Sequence, residues 1–274
     1  MQRDPEGLLA VLAHVAPRFT TRLGLTTTLA LVFSALTWGS PVSPVAVWRG
    51  DLLVASGRPE AAVQAYDAVA RSNPFDTVRR TALERSGNTF AMDLGDVRSA
   101  RLRFELLLAQ TDAPREQAAL LERIGGLLLA EGDEAGAVVR LRESHDLFPQ
   151  APEAADRLMR AATIAAHAGD LVLADRMWRR LGKGHPERTA LAELGRADVA
   201  LRQGRIQDAL TAYVRASDHT FDPDVAAAAK FGSSICLERL GDLEEALADL
   251  DEAELPSTVF EERAEKMRDR LPAR

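Results

Sequence analysis

Between residues 45 and 255, apolar positions come in helix-length runs, such as Leu120-Leu121-Glu122-Arg123-Ile124-Gly125-Gly126-Leu127-Leu128-Leu129, and each run breaks at a glycine. Five residues after that glycine stands an alanine, and four further on a large residue. The unit reads Gly57, Ala62, Tyr66; Gly95, Ala100, Phe104; Gly132, Ala137, Leu141; Gly169, Ala174, Trp178; Gly204, Ala209, Tyr213; and Gly241, Ala246, Leu250. The glycines lie 38, 37, 37, 35 and 37 residues apart. A repeat of this period predicts an all-α solenoid of six helix–turn–helix units over residues 45–256.

Each position has a physical reason. Glycine ends the first helix because a residue without Cβ takes the left-handed conformation at little cost. Asp, or Arg followed by Pro, opens the second helix, an acid there meeting the positive end of the helix dipole. The alanine allows the two helices to approach, and the large residue four positions later shares its face. Pro74, Pro149 and Pro186 close three of the units. Read alone, the stretch Glu131–Ala137 resembles a cation loop, but it lacks oxygen ligands at alternating positions and runs straight into Val138 and Val139. Among its five relatives it is a turn.

At this point the chain resembles the tetratricopeptide repeat family, over residues 45 to 255. Gly50 and Gly125, seven residues before their turn glycines, stand where that family favours a small residue for helix contact; the second unit has Asn88 there. The resemblance implies a concave groove lined by the first helix of each unit. Counting back from each turn places Asp51, Arg85, Thr89, Met92, Asp93, Glu122 and Arg123 on that face. It continues with Met159, Arg160, Thr163, His167, Asp198, Arg202, Phe231, Glu238 and Arg239. Both charge signs with a methionine and an aromatic suit an extended peptide or a partner helix. The only lysines are Lys183, Lys230 and Lys266, so the Lys/Asn set with which some co-chaperone members clamp a terminal carboxylate is missing.

The flanks differ. Thr258-Val259-Phe260-Glu261 reads as a capping box, with Phe260, Ala264, Met267 and Leu271 on one face, so residues 257–274 are expected to cap the last repeat. Residues 1–22 make a short amphipathic segment built on Leu8, Leu9, Val11, Leu12 and Val15. From Leu23 to Trp48 there is no charge. The apolar stretch from Leu23 to Trp38 gives about 24 Å of helix, against roughly 30 Å of hydrocarbon core. Three readings of residues 23–44 compete: a single membrane anchor, a cleaved signal peptide, or an apolar helix packed on the solenoid through Leu25, Leu29, Val32, Phe33 and Leu36. The signal-peptide reading is the poorest, because the n-region is long and no A-x-A site follows. For an anchor, Arg3, Arg18 and Arg22 before it and Arg49 and Arg58 after it weakly favour a cytoplasmic N-terminus. The repeats would then lie outside the inner membrane, in the periplasm of a bacterium; packing on the solenoid leaves a cytoplasmic protein instead.

Composition narrows the chemistry. A net charge of −7 argues against a chain-wide nucleic-acid footprint. A single cysteine, Cys236, excludes an intrachain disulfide, and it is expected to be a buried, inert thiol. His145 and His185 fall near the ends of second helices, where positive charge is favourable. No nucleophile–base pair, metal motif or phosphate loop is present, so no enzyme, cofactor or metal is expected. Arginine outnumbers lysine 31 to 3, a bias of GC-rich bacteria. The expected role is a membrane-anchored scaffold that recruits a protein or peptide in envelope assembly or secretion. The alternative is a soluble peptide-binding chaperone or regulator.

Overall fold

The computed structural model describes residues 46–252, 264–266 and 268–269. The segments 1–22 and 23–44, and most of 257–274, lie outside the described residues. By packing, the chain divides into two compact units, Met1–Gln110 and Thr111–Arg274.

Among the described residues, unit 1 holds two helical hairpins: α1 (Ala46–Ala55) with α2 (Pro59–Ser72), and α3 (Asp76–Met92) with α4 (Val97–Leu108). Unit 2 holds four. They are α5 (Pro114–Ala130) with α6 (Glu134–Leu147), α7 (Ala154–His167) with α8 (Leu171–Gly184), α9 (Thr189–Arg202) with α10 (Ile206–Asp218), and α11 (Pro223–Leu240) with α12 (Leu243–Glu252). A short 3-10 turn, Pro186–Arg188, links α8 to α9. Within each unit every helix packs on the next. The first helices also touch one another, α1 with α3 in unit 1, and α7 with α9 and α9 with α11 in unit 2.

The six hairpin turns share one geometry. Their glycines have φ between 65° and 96°. At Gly132 the N–H bonds back to the Leu129 carbonyl and the next N–H to that of Leu128, closing the end of α5. Asp133 then accepts from the Gly136 N–H at 2.8 Å, and Asp96 and Asp170 cap α4 and α8 in the same way. The capping bond from Ser99 holds the Asp96 carboxyl below its usual pKa. Gly132→Val should therefore lower stability by about 1–3 kcal/mol through strain at positive φ. Glu134→Ala in the same turn should be close to neutral; urea unfolding of the two variants gives the comparison.

The alanine five residues past each turn is fully buried in every hairpin. In five of the hairpins the large residue nine past the turn packs against a glycine. In α2 and α6 it faces its own first helix: a Cβ on Gly50 would lie 2.1 Å from the Tyr66 ring, and one on Gly125 would lie 3.1 Å from Leu141. In the second hairpin the small residue is Gly87, not Asn88: its Cβ would meet Phe104 at 2.8 Å. In α8 and α10 the same position reaches forward instead. Trp178 lies on Gly195 and Tyr213 on Gly232, each glycine in the first helix of the next hairpin. At the far end Ala264 is buried in one cluster with Leu237, Ala246, Leu247 and Leu250.

Candidate functional site

Two tyrosines tie the hairpins to their candidate faces. Tyr66, nine past its turn, donates its hydroxyl to Asp51, six before the same turn, at 2.6 Å. Tyr213 does the same to Asp198, at identical offsets. Burial and these carboxylates push both phenols well above their usual pKa, so each stays a donor. Burial away from water pushes the Asp198 carboxyl up from its usual value, against the Tyr213 bond and Arg202, which pull it down. Each aspartate keeps acceptor capacity beyond the tyrosine bond and is held in one orientation.

In unit 2 a groove of about 560 Å³ opens between α7 and α9. Thr163 and His167 line it from α7, Asp198 and Arg202 from α9, and Trp178 of α8 and Gly195 form part of its wall. Four of the residues expected from the turn spacing thus share one groove. Ala166, Val199 and Leu201 complete its apolar lining. The signal for Trp178 and Gly195 lay in the repeat itself, since they stand nine after one turn and nine before the next.

In unit 1 a smaller groove of about 220 Å³ lies between α1 and α3, with Asp51, Arg85 and Trp48 among its lining. Arg85 approaches Asp51 at 3.8 Å.

The other expected residues are placed differently. Thr89 is buried inside unit 1, while Met92 and Asp93 point to solvent at the end of α3. Glu122 is engaged by two arginines, Arg157 at 2.7 Å and Arg160 at 2.9 Å. Arg157, which the turn spacing does not pick out, is the buried member of that triad, its side chain 5% exposed. Arg123 is half-buried beside it in sequence. Met159 packs on the core of α6–α9, and Phe231 on the cluster around Leu247. Glu238 is half-buried and Arg239 exposed near the end of α11. Cys236 is fully buried, and burial pushes its thiol up to about 11, which leaves it un-ionised and inert at neutral pH.

Among the described residues, no group of three or more His, Cys, Asp or Glu is placed to hold a metal ion, and no helix is long and apolar enough to cross a membrane. The apolar run 23–44 lies outside those residues.

Paired helices closed by a positive-φ glycine and a buried alanine define an all-α helical-hairpin repeat protein. A tetratricopeptide-repeat family model matches residues 46–77 and 194–258. A curated relative, Protein FlbA of Caulobacter vibrioides, is 27% identical over 190 residues, 69% of this chain. The chain spans 30% of that relative's length. Among solved structures, BtubC (BKLC) from P. vanneervenii matches with a TM-score of 0.51 and 14% identity, over 82% of this chain and 95% of that one. The likeness is one of fold.

Proposed function

We propose that this chain is a non-catalytic scaffold that holds an extended peptide or partner helix in the α7–α9 groove of unit 2. The observation that carries this reading is the Tyr213-pinned Asp198 beside Arg202, above a wall of Trp178 and Val199. A fixed acceptor next to a guanidinium fork binds a segment that offers both a donor and an acceptor. The apolar wall takes a side chain between them. Residues 23–44 would hold the scaffold at a bacterial inner membrane, with the repeats on its outer side, in envelope assembly or secretion. The Caulobacter relative supports a bacterial setting.

The test compares the proteins captured from native membranes by the full chain and by its Asp198→Asn/Arg202→Gln variant. Loss of two charge-assisted bonds, each about 1.5–3 kcal/mol, should reduce capture of a groove client more than tenfold. An Asp208→Asn control, in the first turn of α10, should leave it unchanged. Equal capture by all three proteins sinks the groove reading.

One observation favours a second reading of residues 23–44. Nine and five residues before their turns, Gly195 and Val199 in α9 are buried against Trp178, and Gly232 and Cys236 in α11 against Tyr213. At the same offsets α1 carries Trp48 and Leu52, 59% and 62% exposed. Residues 23–44 would cover them, as the second helix of a preceding hairpin does elsewhere, and the chain would be a soluble peptide-binding regulator. Fractionation decides between the readings. Recovery only with detergent supports the anchor; recovery in the soluble fraction supports the cap.

A further inference from the structure

His145 and His185 form a second polar cluster in unit 2, apart from the groove lining. His145 lies in the last turn of α6, and His185 caps the end of α8. Their Nε2 atoms are 3.4 Å apart and their ring centroids 5.6 Å, with the planes at 71°. The centroid separation is close to the nitrogen separation plus one ring radius at each end, so the two nitrogens meet nearly head-on. A metal ion on that line needs about 4 Å, twice a metal–imidazole bond of about 2.0 Å. A proton fits.

The outer nitrogens say where the protons sit. Nδ1 of His145 is 3.0 Å from the Asp146 carboxylate, which Arg180 holds at 2.6 Å. Asp146 can only accept, so Nδ1 carries the proton and Nε2 presents a bare lone pair. That lone pair accepts from the Nε2–H of His185, whose Nδ1 faces Glu187 at 3.5 Å. With side chains 6% and 13% exposed, the pair is shielded from competing water.

We propose that this imidazole pair is a proton-operated latch between the second helices of consecutive hairpins, closed while at least one of the two rings is neutral and open once both are protonated. With only His145 protonated, its Nε2–H donates to a His185 that carries its own proton on Nδ1, facing Glu187; with both rings protonated, two N–H groups oppose each other across the gap and a cation stands beside Arg180. The charged groups acting on His145 are Asp146, Arg180 and His185, with Glu187 behind the last. Burial lowers the pKa of His145 from the usual histidine value, Arg180 and His185 act in the same sense, and Asp146 opposes them. The sign follows: a depressed folded-state pKa means the stabilisation is complete above the unfolded value of about 6.5 and is lost as pH falls through the folded one. Because α8 also carries Trp178, opening the latch alters the wall of the groove; this consequence rests on the groove reading above.

The experiment uses the full chain and needs no partner. Nitrogen-detected NMR of the histidine rings should show His145 as the Nδ1–H tautomer at neutral pH, titrating below the usual histidine value. Amide exchange at the ends of α6 and α8, corrected for intrinsic rate, should rise several-fold between about pH 7 and pH 5, on either side of the usual value of about 6.5. His145→Gln, whose amide oxygen still accepts from His185, should abolish that rise. Should this variant fail to fold, the wild-type NMR titration still decides. A His145 that is Nε2-protonated at neutral pH, or one that titrates with no change at either helix end, overturns the latch. Partner capture at the two pH values separates the readings: a working latch with pH-independent capture refutes only the link to the groove.

Discussion

Replacing Gly195 by valine should destabilise unit 2 by about 3 kcal/mol and close its groove. A Cβ at this position would lie 2.2 Å from the Trp178 ring, with three ring atoms of the indole within 2.6 Å. Trp178 has little room to retreat. It belongs to a buried cluster with Leu158, Met177, Leu181 and Val199, packed between consecutive hairpins. Alanine at 195 already forces the indole to move, and the two further methyl groups of valine add to the overlap. Gly195 also lines the groove, so the displaced indole must enter the space a ligand needs. Urea unfolding measures the first effect and partner capture the second. Wild-type stability would mean that the indole swings aside freely, and that the groove wall is not set by this contact.

Phe104→Ala should cost unit 1 about 3–5 kcal/mol, the usual range for emptying a core aromatic site. Phe104 is fully buried and sets the far end of its ring against Gly87, whose missing side chain makes the space for it. Alanine leaves a cavity that Gly87 cannot fill. Phe104→Leu keeps much of the volume and should cost less than half as much. Denaturation midpoints of the two variants give the ratio, and accelerated cleavage within residues 46–110 by a dilute protease locates the loss. Equal costs for alanine and leucine would show that the ring is not tightly held.

The candidate faces were only partly legible. Counting back from a turn glycine marks a first helix correctly, but not which side of it meets solvent. The closing glycine falls seven residues before the turn in α1 and α5, eight in α3 and nine in α9 and α11. On a helix of 3.6 residues per turn, each one-residue slip rotates the face by about 100°. Thr89, placed on the groove by counting, is buried, while Asp198 and Arg202 line the groove of unit 2. Charge partners add a second uncertainty that spacing cannot resolve. Arg160 and Glu122, from the first helices of neighbouring hairpins, engage each other, and buried Arg157 shares the same carboxylate.

The repeat, the turn and the cap are written locally, and the sequence by itself determined them. A positive φ demands glycine, an open helix start demands an acceptor, and a close helix crossing demands alanine. Each of these requirements acts within a few residues, so each leaves its mark at a constant spacing. Tertiary structure decided the rest: whether Tyr66 closes its own hairpin while Tyr213 reaches into the next, where the chain divides into two units, and which four side chains share a groove. Those outcomes depend on the shapes that neighbouring hairpins offer one another some 35 residues apart, and no single repeat carries that information.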